Sequence, residues 1–147
     1  DLRVGRRKRI FKRLQQDGLP VRAVGSYSDP TYWGEGRTQL LNRSKILLNL
    51  PRHRGLLADL RLIFGMATGA LVLSEPVYLP EPYVPGKHYV EAEIGEMADT
   101  ARRYLADDEE RLRITDEAHR FVTQELTLER SFADMLALAA RRVSSSG

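Results

Sequence analysis

The chain has 147 residues, 42% hydrophobic and 29% charged, enough for one compact domain with a sizeable core. It has no cysteine, which excludes a disulfide framework and a cysteine-ligated metal site, and no apolar run approaches the ~20 residues that span a bilayer. A net charge of +3 is mildly basic and does not by itself argue for a nucleic-acid partner.

The chain starts at Asp1, not Met, and Asp1–Gly5 reads as the tail of a first strand already under way. The expectation is a piece of a longer protein. No signal-peptide pattern is present at the start, so a cytoplasmic location is expected. Arg7–Gln16 is predicted helical, with Ile10, Phe11 and Leu14 on one face and Arg6, Arg9, Lys12 and Arg13 around the other. Gly18-Leu19-Pro20 ends it. Val21–Val24 is predicted as a strand, with Gly25 and Ser26 opening the loop at its carboxyl end. Tyr27–Gly36 is irregular, with Asp29-Pro30 turn chemistry, and Arg37–Arg43 is a short helix.

Two solid apolar runs follow. Ile46–Leu50 and Ala70–Leu73 lack polar alternation, as expected of parallel strands covered on both faces. Between them Arg54-Gly55 is read as opening a helix with Leu57, Leu60, Arg61 and Phe64 on one face, closed by Thr68-Gly69. Strand, crossover helix and strand make a right-handed βαβ unit. Prolines crowd residues 76–86 and force a shaped loop. Tyr89–Ala92 is a short last strand, and Ile94–Leu105 is helical with Met97, Ala101, Tyr104 and Leu105 inward. Asp107-Asp108 cap a helix over Glu109–Gln124, with Leu112, Ile114 or Thr115, Ala118 and Val122 inward. Thr127 caps a final helix whose apolar face is Phe132, Met135, Leu136, Ala139 and Val143. The alternation gives a single α/β domain over residues 1–143: a three-layer α/β/α Rossmann-like sandwich with a parallel sheet and a helical end. Residues 144–147 read as a flexible tail.

Ligands in such sheets bind at the carboxyl ends of the strands. The loops starting at Asn49 and Ser74 share that rim. Arg54 and Gly55 are placed there at a helix N-terminus, where free N–H groups favour a pyrophosphate. The alternative is ordinary loop charge. The basic run Arg6-Arg7-Lys8-Arg9 reaches a diphosphate or is a solvated helix face. Gly25-Ser26 admits a close approach to a base or ribose, or is an ordinary turn. Glu75 closes the second strand at the rim, or is a strand-end carboxylate in solvent. Gly34-Glu35-Gly36 lacks the third glycine and a preceding strand, so it is no dinucleotide fingerprint. Asp107-Asp108 is a cap, not a metal motif. A response-regulator-like reading fails for want of paired acidic residues at a first strand end.

The ordered stretches SKILLNLPRHRG, DLRLIFGMATGALVLSEP, YVPGKHYVEA and YLADDEERLRITDEAHRFV resemble the C-terminal half of GT-B glycosyltransferases. The nearest group is the branch related to the spore-maturation protein CgeB. The resemblance runs from about Arg6 to Arg142. It implies a donor-binding domain that takes a UDP- or GDP-linked nucleotide sugar as substrate, needs no bound metal or other cofactor, and works with its own N-terminal domain. Arg61 aligns with the arginine of the family pattern R-x-F-E-A, and Phe64 stands where the family has a glutamate expected to hold the donor ribose. Glu75 is a possible substitute. The resemblance points to no catalytic base. The alternative is a non-catalytic nucleotide-binding or scaffolding domain of the same fold.

Overall fold

The computed structural model describes residues 5–25, 30–57 and 59–144. The first-strand reading of Asp1–Val4, the rim placement of Ser26 and most of the tail lie outside the described residues.

The apolar runs form the sheet. Strands β1 (Ile46–Asn49), β2 (Leu71–Ser74) and β3 (Val90–Glu91) are parallel in the order β1-β2-β3. Ile46 pairs with Leu71 and Asn49 with Ser74, and Ser74 pairs with Glu91, so the strands end at one rim. Central β2 is buried throughout. Its alternation sends Leu71 and Leu73 to one layer and Val72 to the other. Helices α1 (Gly5–Gln16) and α4 (Met97–Ala106) cover the first face, where Ile10, Leu14, Met97, Ala101 and Tyr104 meet Leu71, Leu73 and Val90. Helix α3 (Asp59–Ala67) covers the second, where Leu62 and Met66 meet Val72, Tyr83 and Tyr89. Helix α5 (Asp108–Arg120) closes one end, with Ile114 in the first cluster and Ala118 in the second. Helix α2 (Glu35–Asn42) precedes β1, and α6 (Leu128–Ser144) is the last described element. This is the expected α/β/α arrangement.

Caps sit where the residue types placed them. Asp107 Oδ1 accepts from the Glu110 N–H at 3.0 Å, and Thr127 Oγ1 from the Arg130 N–H at 3.3 Å. Gly69, at φ 72, ends α3, and the Ala70 N–H reaches back to the Gly65 carbonyl at 3.0 Å.

Four readings need correction. Val21–Val24 is not a strand: no strand lies beside it to complete a ladder among the described residues. Arg54-Gly55 does not open a helix. Gly55 is left-handed at φ 77 and forms an isolated parallel bridge with Val77, and α3 begins only at Asp59. The buried side of α3 is Leu62, Gly65 and Met66, while Leu60 is exposed. The reason is Gly65, where a Cβ would stand 2.5 Å from Val72 Cγ2, so the helix seats its backbone on the sheet. In α5 Leu112 is exposed and Arg111 takes the inward position, its head paired with Asp108 at 2.7 Å. The apolar stripe that the sequence places on α6 is exposed at Phe132, Met135 and Leu136.

Candidate functional site

The rim is built around two polar residues that end apolar strands. Asn49 and Ser74 are wholly buried, and Asn49 Nδ2 donates to Ser74 Oγ at 3.0 Å. Ser74 Oγ in turn donates to the Glu75 carbonyl at 2.7 Å. Arg61, early in α3, donates from one terminal nitrogen to Asn49 Oδ1 and to the Leu50 carbonyl, both at 3.1 Å. Arg7, in the first turn of α1, donates through Nε to the same carbonyl at 2.7 Å. Arg6 donates to the Pro51 carbonyl at 3.1 Å and grips Glu75 with both terminal nitrogens, one of them at 2.9 Å. Each arginine reaches the rim because its helix begins there.

Charge is unbalanced at this point. Glu75 is buried, against the reading that leaves it in solvent, and among the described residues it answers Arg6. That hydrogen bond raises the Arg6 pKa above its ordinary value. Arg7 and Arg61 are half-buried and donate to neutral oxygens, and neither has a carboxylate partner among the described residues. Burial lowers both pKa values, and like charge adds to the effect: Arg52 and Arg6 act on Arg7, and Arg7 and Arg52 on Arg61. An anion placed here would meet two N–H-rich guanidinium groups without counter-charge among the described residues.

The other expected site residues stand further off. Arg54 is exposed and paired with Glu93 at 2.7 Å, and Gly55 is held against Val77. They share the rim but lie toward β3, engaged with partners other than the Arg61 cluster. Gly25, at φ 78, lies across from β1 on the wall of a cavity of about 560 Å³ that runs along the outer edge of that strand and also touches Arg7 and Arg61.

Sequence reading passed over two participants. Asn49 was legible as the polar residue inside the run ILLNL. Arg37 lies 3.7 Å over the ring of Phe64, so Phe64 is neither plain core nor a hydrogen-bonding site. Gly36, read above as loop, is in the first turn of α2, where a Cβ would strike the Thr31 carbonyl at 2.0 Å. Among the described residues no group of histidines and carboxylates is arranged to hold a metal, and no helix is long and apolar enough to cross a membrane.

A family model described as glycosyl transferase-like matches residues 6–137. Among solved structures, the C-terminal domain of a glycosyl transferase group 1 family protein, LpcC of Francisella tularensis, superposes with a TM-score of 0.55 at 17% identity. The match covers 82% of this chain but 62% of that one, and the likeness is one of fold. No curated protein matches.

Proposed function

This chain belongs to the glycosyl transferase-like family, and on that premise we propose that it is the donor-binding part of a GT-B glycosyltransferase. Its substrate is a UDP- or GDP-linked sugar bound at the rim of β1 and β2. The supporting observation is the pair Arg7 and Arg61, half-buried and donating, among the described residues, to neutral oxygens. In the transfer the bond from the sugar's anomeric carbon to the diphosphate breaks, and its electron pair stays on the departing phosphate oxygen. A new bond forms from an acceptor oxygen to the same carbon. The two guanidiniums stabilise the charge that develops on the leaving diphosphate. Glu75, which closes β2 at the rim, takes the ribose hydroxyls in place of the glutamate that Phe64 replaces once its buried grip on Arg6 opens. The acceptor and the base that deprotonates it belong to a separate N-terminal domain of a cytoplasmic protein. The chain alone is then a weak nucleotide binder with no transferase activity.

Calorimetry with UDP, GDP and their sugar-linked forms tests this. One nucleoside diphosphate should bind, and Arg7→Ala and Arg61→Ala should each weaken it roughly tenfold or more. Arg54→Ala should weaken it less, because Arg54 is exposed and already answered by Glu93. Binding indifferent to Arg7 and Arg61 would overturn the phosphate placement.

Phe64 beneath Arg37 favours a second reading, a nucleotide-binding or scaffolding domain without catalysis. Nucleotides that fail to raise the melting temperature of the full-length protein would favour it.

A further inference from the structure

The carboxyl end of the sheet carries a third polar residue besides Asn49 and Ser74. Glu91 pairs with Ser74 in register, and register partners turn their side chains to one face, so Glu91 extends the Asn49–Ser74 row to β3. Its Oε1 accepts from the Tyr89 hydroxyl at 2.7 Å and from the Val77 N–H at 3.1 Å. Val77 in turn bridges Gly55, and the Tyr78 N–H bonds the Gly55 carbonyl at 2.9 Å. Through Val77, Glu91 thus fastens the far end of the loop that follows β1. The near end is fastened at the Leu50 carbonyl by Arg7 and Arg61, and at the Pro51 carbonyl by Arg6.

Between these fixings lie the exposed side chains of Arg52, His53 and Arg54. Arg54 is tied to Glu93 at 2.7 Å. Arg52 has no hydrogen-bond or ion-pair partner among the described residues. It stands just beyond the carbonyl that Arg7 and Arg61 share. Its charge is felt there: after burial, it is among the causes that lower the pKa of both. An arginine on a loose loop would drift away from like charge. Here the fixed backbone keeps Arg52 beside Arg7 and Arg61. Those two spend N–H groups on carbonyls, whereas every N–H of Arg52 remains to be used among the described residues. Such a guanidinium suits an anion with several oxygens, and a diphosphate offers them on adjacent phosphates.

Resting on the donor site proposed above, we propose that Arg52 is a third anion-binding group of the rim, and that Glu91 is the residue that positions it. Arg52 meets a bound diphosphate from the solvent side, while Arg7 and Arg61 hold it from within. Glu91 touches no ligand. Through Val77 and Gly55 it fixes the path of the loop, so Arg52 meets the anion without the ordering cost of a mobile segment. A carboxylate near phosphate is repelled by it, so what Glu91 contributes is the hydrogen bonds it accepts and not its charge.

Calorimetry with inorganic pyrophosphate, UDP and GDP on the full-length protein at low salt tests both roles. Arg52 is exposed, so Arg52→Ala should leave the fold intact and weaken pyrophosphate about tenfold. Glu91→Ala should weaken it about fivefold when Arg52 is present and not at all in the Arg52→Ala background. Glu91→Gln keeps an acceptor and should bind at least as tightly as the unaltered protein. If Glu91→Ala does not fold, Gly55→Ala, strained at φ 77, disturbs the other partner of the same tie and takes its place in the cycle. Pyrophosphate bound through Arg7 and Arg61 but indifferent to Arg52→Ala would overturn the proposal and leave the donor reading standing. An equal loss from Glu91→Ala in both backgrounds would overturn its positioning role. Pyrophosphate bound through Arg52, with neither nucleotide bound, would uphold the proposal and overturn the donor reading. Failure of pyrophosphate, UDP and GDP alike to bind would overturn both.

Discussion

Asn49 and Ser74, opposite each other in the register of β1 and β2, are joined by a 3.0 Å Nδ2–Oγ hydrogen bond in a fully buried position. Through it the side chain of Arg61 is tied to the backbone of Glu75. Asn49→Ala removes the central member and leaves Ser74 Oγ and one Arg61 N–H short of a partner. The expected cost is about 1–3 kcal/mol of stability, read from the urea midpoint. Nucleotide affinity should fall with it, because Arg61 is no longer held at the rim. Affinity unchanged in a folded Asn49→Ala protein would remove Asn49 from the site.

Arg6 and Glu75 make a second test. Glu75 is buried, but the Arg6 side chain is 28% exposed, so solvent tempers the loss when the pair is broken. Glu75→Gln should destabilise by about 1–2 kcal/mol, since the amide still accepts from one guanidinium nitrogen. If Glu75 also holds ribose, the same variant should lose discrimination between a ribonucleotide and its deoxy form. Intact discrimination would leave Glu75 a purely structural partner of Arg6.

Helix α3 rests on the sheet through Gly65. A Cβ there meets Val72 Cγ2 at 2.5 Å and Leu47 Cδ2 at 2.9 Å. Alanine gains about 1 kcal/mol of helix propensity over glycine, while overpacking costs about 1–3 kcal/mol. Gly65→Ala should therefore be destabilising on balance, and Gly65→Val more so. Adding Val72→Ala to Gly65→Ala should cost less than the two changes summed, because the second makes room for the first. Strict additivity would mean that the contact is not what sets the seat of the helix.

Much of this was open to a reading of residues alone. The runs ILLNL and ALVL contain the two long strands because unbroken apolar sequence suits a strand covered on both faces. The caps at Asp107 and Thr127 followed from side-chain chemistry. What failed was whatever depends on a neighbour. Leu60 has the right spacing for a core position, but the close seat of Gly65 turns the helix so that Leu62 and Met66 are buried instead. Val21–Val24 has strand composition, yet a ladder needs a second strand. The burial of Glu75 depends on Arg6, far away in the chain, and no local pattern announces it. The charge at Arg54 was legible, but not the loop that places it against Glu93.

His88 supplies a pH-dependent test. It is 3% exposed and stacks on Phe121 with ring centres 4.1 Å apart. Its Nδ1 accepts from the Val84 N–H at 3.2 Å, so the neutral ring carries its hydrogen on Nε2, which has no partner among the described residues. Burial lowers the pKa below the ordinary histidine value of 6.5, and Lys87 and Arg120 add to this, against a smaller opposing pull from Glu117 and Glu125. The unfolded chain therefore takes up the proton first as pH falls. Between the unfolded and the lower folded pKa the unfolded state binds more protons, so stability decreases on acidification through pH 6.5 and levels off once the folded ring is also protonated. Above pH 6.5 the contribution is fully present. The slope cannot exceed about 1.4 kcal/mol per pH unit for one group. In His88→Gln, whose amide oxygen can still accept from Val84, the urea midpoint should lose this part of its pH dependence between about pH 7.5 and 5. His53 and His119 are present in both proteins, so the difference between the curves isolates His88. Superimposable curves would show that the buried ring takes up its proton as readily in the fold as in the unfolded chain.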